Sequence, residues 1–246
     1  MLSLSPTSRA LPPALLASAL LAFALLALVL AGAARAAPDG ELSLNDLLNS
    51  FSDRYRGLAN FKASYVRSTA TPASDAIFRN KASHVAAGTL YWQKPLRLKL
   101  DQNEPDPETM LTDGSAAWWY IPREKTVHVY PELDLEGEFM PLLAFFDGID
   151  SLRQKFSIAL EGDDPAREGE YGLILTPKEE PARRGIVTVY LDQNSVITGF
   201  KIGSPTGEET NFALAGLELN LRLDDSFFKF RAPKGTKVVT EAYATD

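Results

Sequence analysis

The chain has 246 residues, no cysteine and only two histidines. Without cysteine, no disulfide can brace an exported fold, so burial alone must hold it. Bacterial lipoproteins carry their lipid on a cysteine at the mature N-terminus, so this chain is not itself one of them. Metal sites need clustered His, Cys or carboxylate groups at set spacings. His84 and His128 stand in no such cluster and read as ordinary strand or loop residues. No G-x-S-x-G elbow, P-loop or dinucleotide fingerprint is present. The run Gly203–Gly207 is glycine-rich but has no helix after it, so it reads as a turn. Asp163-Asp164 and Glu179-Glu180 lie beside Gly or Pro and read as solvated loop acids. A hydrolase would need two carboxylates facing each other across a cleft. The expectation is a protein that is not an enzyme and has no cofactor and no metal.

Acids outnumber bases, 32 to 25, for a net charge of -7 at pH 7. Phosphate binding runs on Lys and Arg, so nucleic acid is a poor partner. An anionic bilayer surface is equally unsuitable. Residues 1–36 read as a secretory signal peptide: Arg9, a Leu/Ala-rich run from Leu11 to Ala31, then a small-x-small site at Ala34-Arg35-Ala36. The run is long enough to span a membrane, but Pro12 and Pro13 shorten its helical core. Residues 37–246 are then one β-rich domain.

The stretch Gly88 to Tyr130 organises the rest. Leu96, Leu98 and Leu100 alternate with Arg97, Lys99 and Asp101, the period of a strand with one dry face. Asp113-Gly114 sits between two apolar runs and signals a hairpin. Pro122 to Lys125 is a second turn before Thr126–Tyr130. Four or five antiparallel strands follow one another here. Lys94-Pro95 interrupts a strand spanning Val85 to Gln93. If extended geometry carries through, Lys94 shares a face with Leu90, Trp92, Leu96, Leu98 and Leu100. A cation on an otherwise apolar face is costly without partners.

Two apolar covers flank this stretch. Ser43 and Asp46 form a capping-box-like start, and Leu44, Leu47, Leu48, Phe51, Tyr55 and Leu58 recur at helical spacing. The second cover, Glu138 to Gly148, reads EFMPLLAFFDG. Phe139, Met140, Leu142, Leu143, Phe145 and Phe146 leave it almost no polar side. A short helix apolar all round must be enclosed or must cover a dry cavity, and Met and Phe suit an adaptable surface.

The last hundred residues return to strands. In Thr210–Leu221, Phe212 and Leu214 share one parity, while Leu217, Leu219 and Leu221 share the other. Ala215-Gly216 would absorb that slip as a bulge. The whole predicts a mainly β, α+β chain. It should form a single curved antiparallel sheet, an incomplete β-barrel of about 11 strands, with two or three helices on its concave face. A closed barrel is the near alternative.

Five ordered segments resemble the periplasmic outer-membrane lipoprotein carrier family, the LolA type. Phe61-Lys-Ala-Ser-Tyr65 is similar to F-x-A-x-F, and Gly88-Thr-Leu-Tyr-Trp-Gln-Lys-Pro95 to G-x-L-x-x-x-R-P. Leu111-Thr-Asp-Gly114 with Trp118-x-Tyr120-x-Pro122 resembles the D-G and W-x-Y-x-P run. Leu175-Thr-Pro-Lys178 resembles L-x-P-K, and Phe228-x-Phe230-x-x-Pro233-x-Gly235 the C-terminal F-x-F-x-x-P-x-G. The resemblance implies a monomeric periplasmic chaperone with a lidded cavity for acyl chains. Lipidated proteins would come from an inner-membrane ATP-driven release complex and pass to an outer-membrane receptor. It further implies an acyl cavity and lid at Leu90, Trp92, Leu96, Leu98, Leu100, Phe139, Met140, Leu143 and Phe146. The latch arginine of the family is Lys94 here, which keeps the charge but loses the planar fork. The family's aromatics on the next strand become Leu98 and Leu100, and the glutamine closing F-x-A-x-F-x-Q becomes Arg67. A carrier or sensor of another envelope lipid or glycolipid is the alternative with the same fold.

Overall fold

A computed structural model describes residues 43–71, 84–131, 148–162, 167–179, 185–224 and 226–241. Residues 1–36, expected to be a signal peptide, and the apolar residues Phe139, Met140, Leu143 and Phe146 therefore lie outside the described residues. Helix α1, Leu44–Arg54, leads into strands β1 (Asn60–Ala70), β2 (His84–Gln93), β3 (Arg97–Glu104), β4 (Glu108–Thr112), β5 (Ala117–Ile121) and β6 (Thr126–Tyr130). Helix α2, Ile149–Lys155, precedes β7 (Phe156–Leu160), β8 (Glu170–Pro177), β9 (Ile186–Asp192), β10 (Ile197–Gly203), β11 (Glu209–Leu219) and β12 (Lys237–Thr240). All twelve strands belong to one sheet, in the order β12-β6-β5-β4-β3-β2-β1-β11-β10-β9-β8-β7. The sheet is open, with β12 and β7 at its edges.

The twelve strands among the described residues agree with the expected open sheet of about eleven. One pair departs from the antiparallel pattern: β12 pairs with β6 in parallel, Lys237 opposite Thr126 through Thr240 opposite Val129. Chain path explains the difference. The segment between β11 and β12 crosses the outer side of the sheet and delivers β12 alongside β6.

Sequence chemistry explains the local structure. Ser43 caps α1: its Oγ accepts from the Asp46 backbone N–H at 3.2 Å. Leu47, Leu48 and Phe51 form the buried stripe of that helix. Between β4 and β5 the Asp113 carboxylate accepts from the Ser115 N–H at 2.9 Å, the Ser115 hydroxyl at 2.8 Å and the Ala116 N–H at 3.1 Å. Gly114, at φ 97, supplies the left-handed residue. Burial alone would raise the Asp113 carboxyl, but these hydrogen bonds more than offset it and hold it below its ordinary value. Asp192 builds the β9–β10 turn the same way, accepting from the N–H groups of Asn194 and Val196, each at 2.8 Å.

The predicted bulge is present. Lys62 lies opposite Glu218, but Ser64 lies opposite Ala215, so β11 gains a residue between them. Gly216 takes φ 63 at that point. The slip returns Leu214 and Leu217 to the same apolar core despite their opposite parity.

Candidate functional site

The two faces of the sheet have different owners. On the inner face, a side-chain row crosses six strands in register: Ala63, Leu90, Leu100, Met110, Trp119 and His128. A neighbouring row runs Phe61, Trp92, Leu98, Thr112. Helix α1 sets its apolar stripe into the same cluster, with Leu173, Leu175, Val187, Val189, Leu191 and Phe200 from β8–β10. The Ile197 N–H donates to the Tyr55 hydroxyl at 3.1 Å, and Arg54 donates to the Asn194 carbonyl at 3.1 Å. These bonds tie the end of α1 to the β9–β10 turn. Arg153 of α2 donates to the Asn45 side chain at 3.1 Å, linking the two helices. Burial pushes the Tyr55 hydroxyl up from its ordinary value, which keeps it neutral and free to accept that bond.

Most predicted sheet residues come together. Leu90 and Trp92 are buried, and Trp92 stacks on Phe61 with ring centroids 5.7 Å apart. Leu98 and Leu100 are 9% and 6% exposed in the same cluster. Leu96 is half-buried against it from the turn that joins β2 to β3.

Lys94 does not join them. It is exposed in that turn, and its backbone N–H donates to the Ala59 carbonyl at 2.9 Å. The extended line assumed through Lys94-Pro95 breaks there, because the turn rotates the residue off the strand face. The apolar face nevertheless carries a cation one strand away. Arg67 continues the Phe61, Ala63, Tyr65 alternation of β1 and is half-buried opposite Ala86 and Phe212. Parity alone would have placed it there.

Also missed in the sequence were Met110, Trp119 and His128. The indole N–H of Trp119 donates to Glu108 at 2.9 Å, its ring centroid is 5.4 Å from that of His128, and His128 Nδ1 lies 2.6 Å from Glu241. The outer face holds Trp118 and Tyr120, whose facing the sequence left open. Both pack on Phe230, at 6.4 and 5.8 Å between centroids. Phe228, 1% exposed, and Phe227 belong to the same strap.

On the outer side of β8–β10 lies a cleft of about 510 Å³, bounded by Ile174, Ile186, Thr188, Lys201 and Glu209 among others. Lys201 is paired there with Glu161 at 2.8 Å. Among the described residues no group of three or more His, Cys, Asp or Glu side chains gathers to hold a metal. No described helix is long and apolar enough to cross a membrane.

The comparisons with known proteins agree with the motifs. The family described as outer membrane lipoprotein carrier protein LolA matches residues 75–231. An outer-membrane lipoprotein carrier protein from Aliivibrio salmonicida is 23% identical over 209 residues, covering 85% of this chain and 93% of its own. The one from Methylococcus capsulatus is 25% identical over 203 residues, covering 82% and 90%. Among solved structures, a LolA superfamily protein from Nitrosomonas europaea is 13% identical, with a TM-score of 0.41, over 77% of this chain and 99% of its own. The fold is a single open sheet of twelve strands among the described residues, with an apolar inner face. The chain belongs to the outer-membrane lipoprotein carrier protein family, LolA.

Proposed function

We propose that this protein is a non-enzymatic periplasmic chaperone that carries the acyl chains of lipidated proteins. In this reading residues 1–36 are removed on export and residues 37–246 act as a monomer. An inner-membrane ATP-driven complex releases the cargo, and an outer-membrane receptor accepts it. The observation that carries the reading is the apolar inner face, continuous from α1 and β1 across β3 to Met110 on β4.

The physics favours such a role. Each methylene removed from water is worth about 0.8 kcal/mol, so an acyl chain seeks any dry surface. A carrier must also let go, and side chains that stay partly accessible provide contact without permanent enclosure. Leu96, Leu98, Leu100 and Met110 form the cargo wall in this reading, with Leu90 and Trp92 behind them. Lys94 keeps the latch role implied by its place before Pro95, acting from the rim. Phe139, Met140, Leu143 and Phe146 add apolar contact to the cargo.

The test is direct. Inner-membrane vesicles bearing a lipidated protein and supplied with ATP are incubated with the purified protein. The expected result is a soluble complex of the two. Cargo that stays in the membrane at every concentration of the protein would sink the reading.

A further inference from the structure

We propose that Arg67 is a binding point for an oxyanion at the polar end of an acyl ligand, an inference that rests on the acyl-carrier reading. Arg67 sits on the inner face, half-buried, with Phe212 and Ala86 directly opposite it on the two neighbouring strands. A guanidinium offers several donors in a fixed fork. This one makes a single hydrogen bond among the described residues, from Nη2 to the Gln102 side-chain oxygen at 3.1 Å. Its Nε is buried and has no partner. Gln102 is 9% exposed, and its amide NH2 donates to the Asp106 carbonyl at 2.9 Å. That bond fixes the amide so that its oxygen faces Arg67. Gln102 therefore orients the cation without neutralising it. Among the described residues Arg67 forms no ion pair, and a half-buried charge without a counter-charge is costly. Among the described residues the acid opposite Gln102 on this face is Glu108, and it is engaged by the Trp119 indole.

Position supplies the second argument. From Phe61 to Arg67 the strand runs roughly 20 Å. It begins with Phe61, Ala63 and Tyr65, all buried, and ends at Arg67 and the hydroxyl pair Thr69–Thr210, 3.2 Å apart. On the same face, β3 carries Leu98 and Leu100 of the cargo wall and then Gln102, the partner of Arg67, which matches an amphiphile laid with its tail along that wall and its head at Arg67. Burial raises the Tyr65 hydroxyl above its ordinary value, and the Arg67 charge partly offsets that, as expected of a cation close beside it. Arginine suits carboxylate and phosphate alike through its planar fork. The ligand class is an acyl chain ending in an oxyanion, whether a fatty-acid carboxylate or a lipid phosphate.

The experiment loads the purified protein with a neutral dansylated palmitoyl amide and follows its displacement. The competitors are palmitate, palmitoyl lysophosphatidic acid and neutral monopalmitoylglycerol. The expected result is displacement by both anions at about tenfold lower concentration than by the neutral ligand. Arg67→Gln should erase that preference while leaving the neutral ligand within twofold, and Arg67→Lys should restore part of it. If palmitate alone is preferred, the ligand is a carboxylate; if the lysophosphatidic acid alone, a phosphate. Equal displacement by all three in the unaltered protein overturns the assignment of Arg67 and leaves the carrier reading standing, as does a preference that survives in Arg67→Gln. Failure of the probe to bind at all overturns both. Should Arg67→Gln melt early, the unaltered protein and Arg67→Lys still decide the matter.

Discussion

The two halves of the inner face invite comparison. Under α1 and along β8 and β9, Leu47, Leu173, Leu175, Val189 and Leu191 are fully buried. On β3 to β6 the same face carries Leu98 and Leu100 at 9% and 6%, and Met110, Trp119 and Tyr130 half-buried. Both halves are apolar, and both continue one register of side chains. The first spends its apolar surface on its own core. The second leaves Met110, Trp119 and Tyr130 partly accessible. The lesson is that hydrophobic patterning identifies a dry face, but residual accessibility separates structure from use.

Substitutions can break that comparison. Leu175→Ala should lower stability most, by about 2–5 kcal/mol, because a fully enclosed site cannot collapse. Urea unfolding would report it, and acyl-probe affinity of the folded protein should stay unchanged. Met110→Glu reverses the pattern: at this half-buried position stability falls by about 1–2 kcal/mol, less than at Leu175, while probe affinity falls roughly tenfold or more. Equal losses of both in Met110→Glu would mark the inner face on β3 to β6 as ordinary core. Leu143→Glu and Phe146→Glu are expected to follow Met110→Glu, weakening cargo binding more than folding. A matched drop in melting temperature would place them with Leu175 instead.

The smaller effects sharpen the frame around the site. Asp113→Ala should cost about 1 kcal/mol, the loss of side-chain hydrogen bonds to a turn. The carboxyl is held below its ordinary 3.8 in the fold. Its contribution is therefore complete above that value and is lost as pH falls through the lower, folded one. The stability gap between the two proteins should close on acidification, and a gap that persists in acid contradicts this account of the turn. Lys94→Gln should leave stability unchanged within about 0.5 kcal/mol, since the side chain is exposed. An effect confined to cargo retention would support the latch role, whereas full retention would remove Lys94 from the site.

Much of this was legible in the chain. The alternation of Leu96, Leu98 and Leu100 announced the inner face, and the parity slip of Phe212, Leu214 and Leu217 announced the bulge at Gly216. These signals are local, so short-range patterning suffices. Lys94 misled because a period-two count cannot see a turn at the proline that follows it. Trp118 and Tyr120 lie in a run apolar on both parities, and only the distant Phe230 decides which side they take. Asp113 was read for its backbone tolerance, yet its carboxylate does the work. Arg67 was visible by parity with Phe61 and Tyr65, but its hydrogen bond to Gln102 joins it to another strand. The parallel docking of β12 was beyond reach, because four residues with little apolar pattern do not encode their partner.

Photolabelling with a diazirine-bearing palmitoyl probe, followed by peptide mass spectrometry, tests the central claim most directly. The account predicts label on β3 and β4, at Leu98, Leu100 and Met110, competed away by a lipidated protein. Label confined to the outer cleft beside Lys201, or none above background, would contradict it.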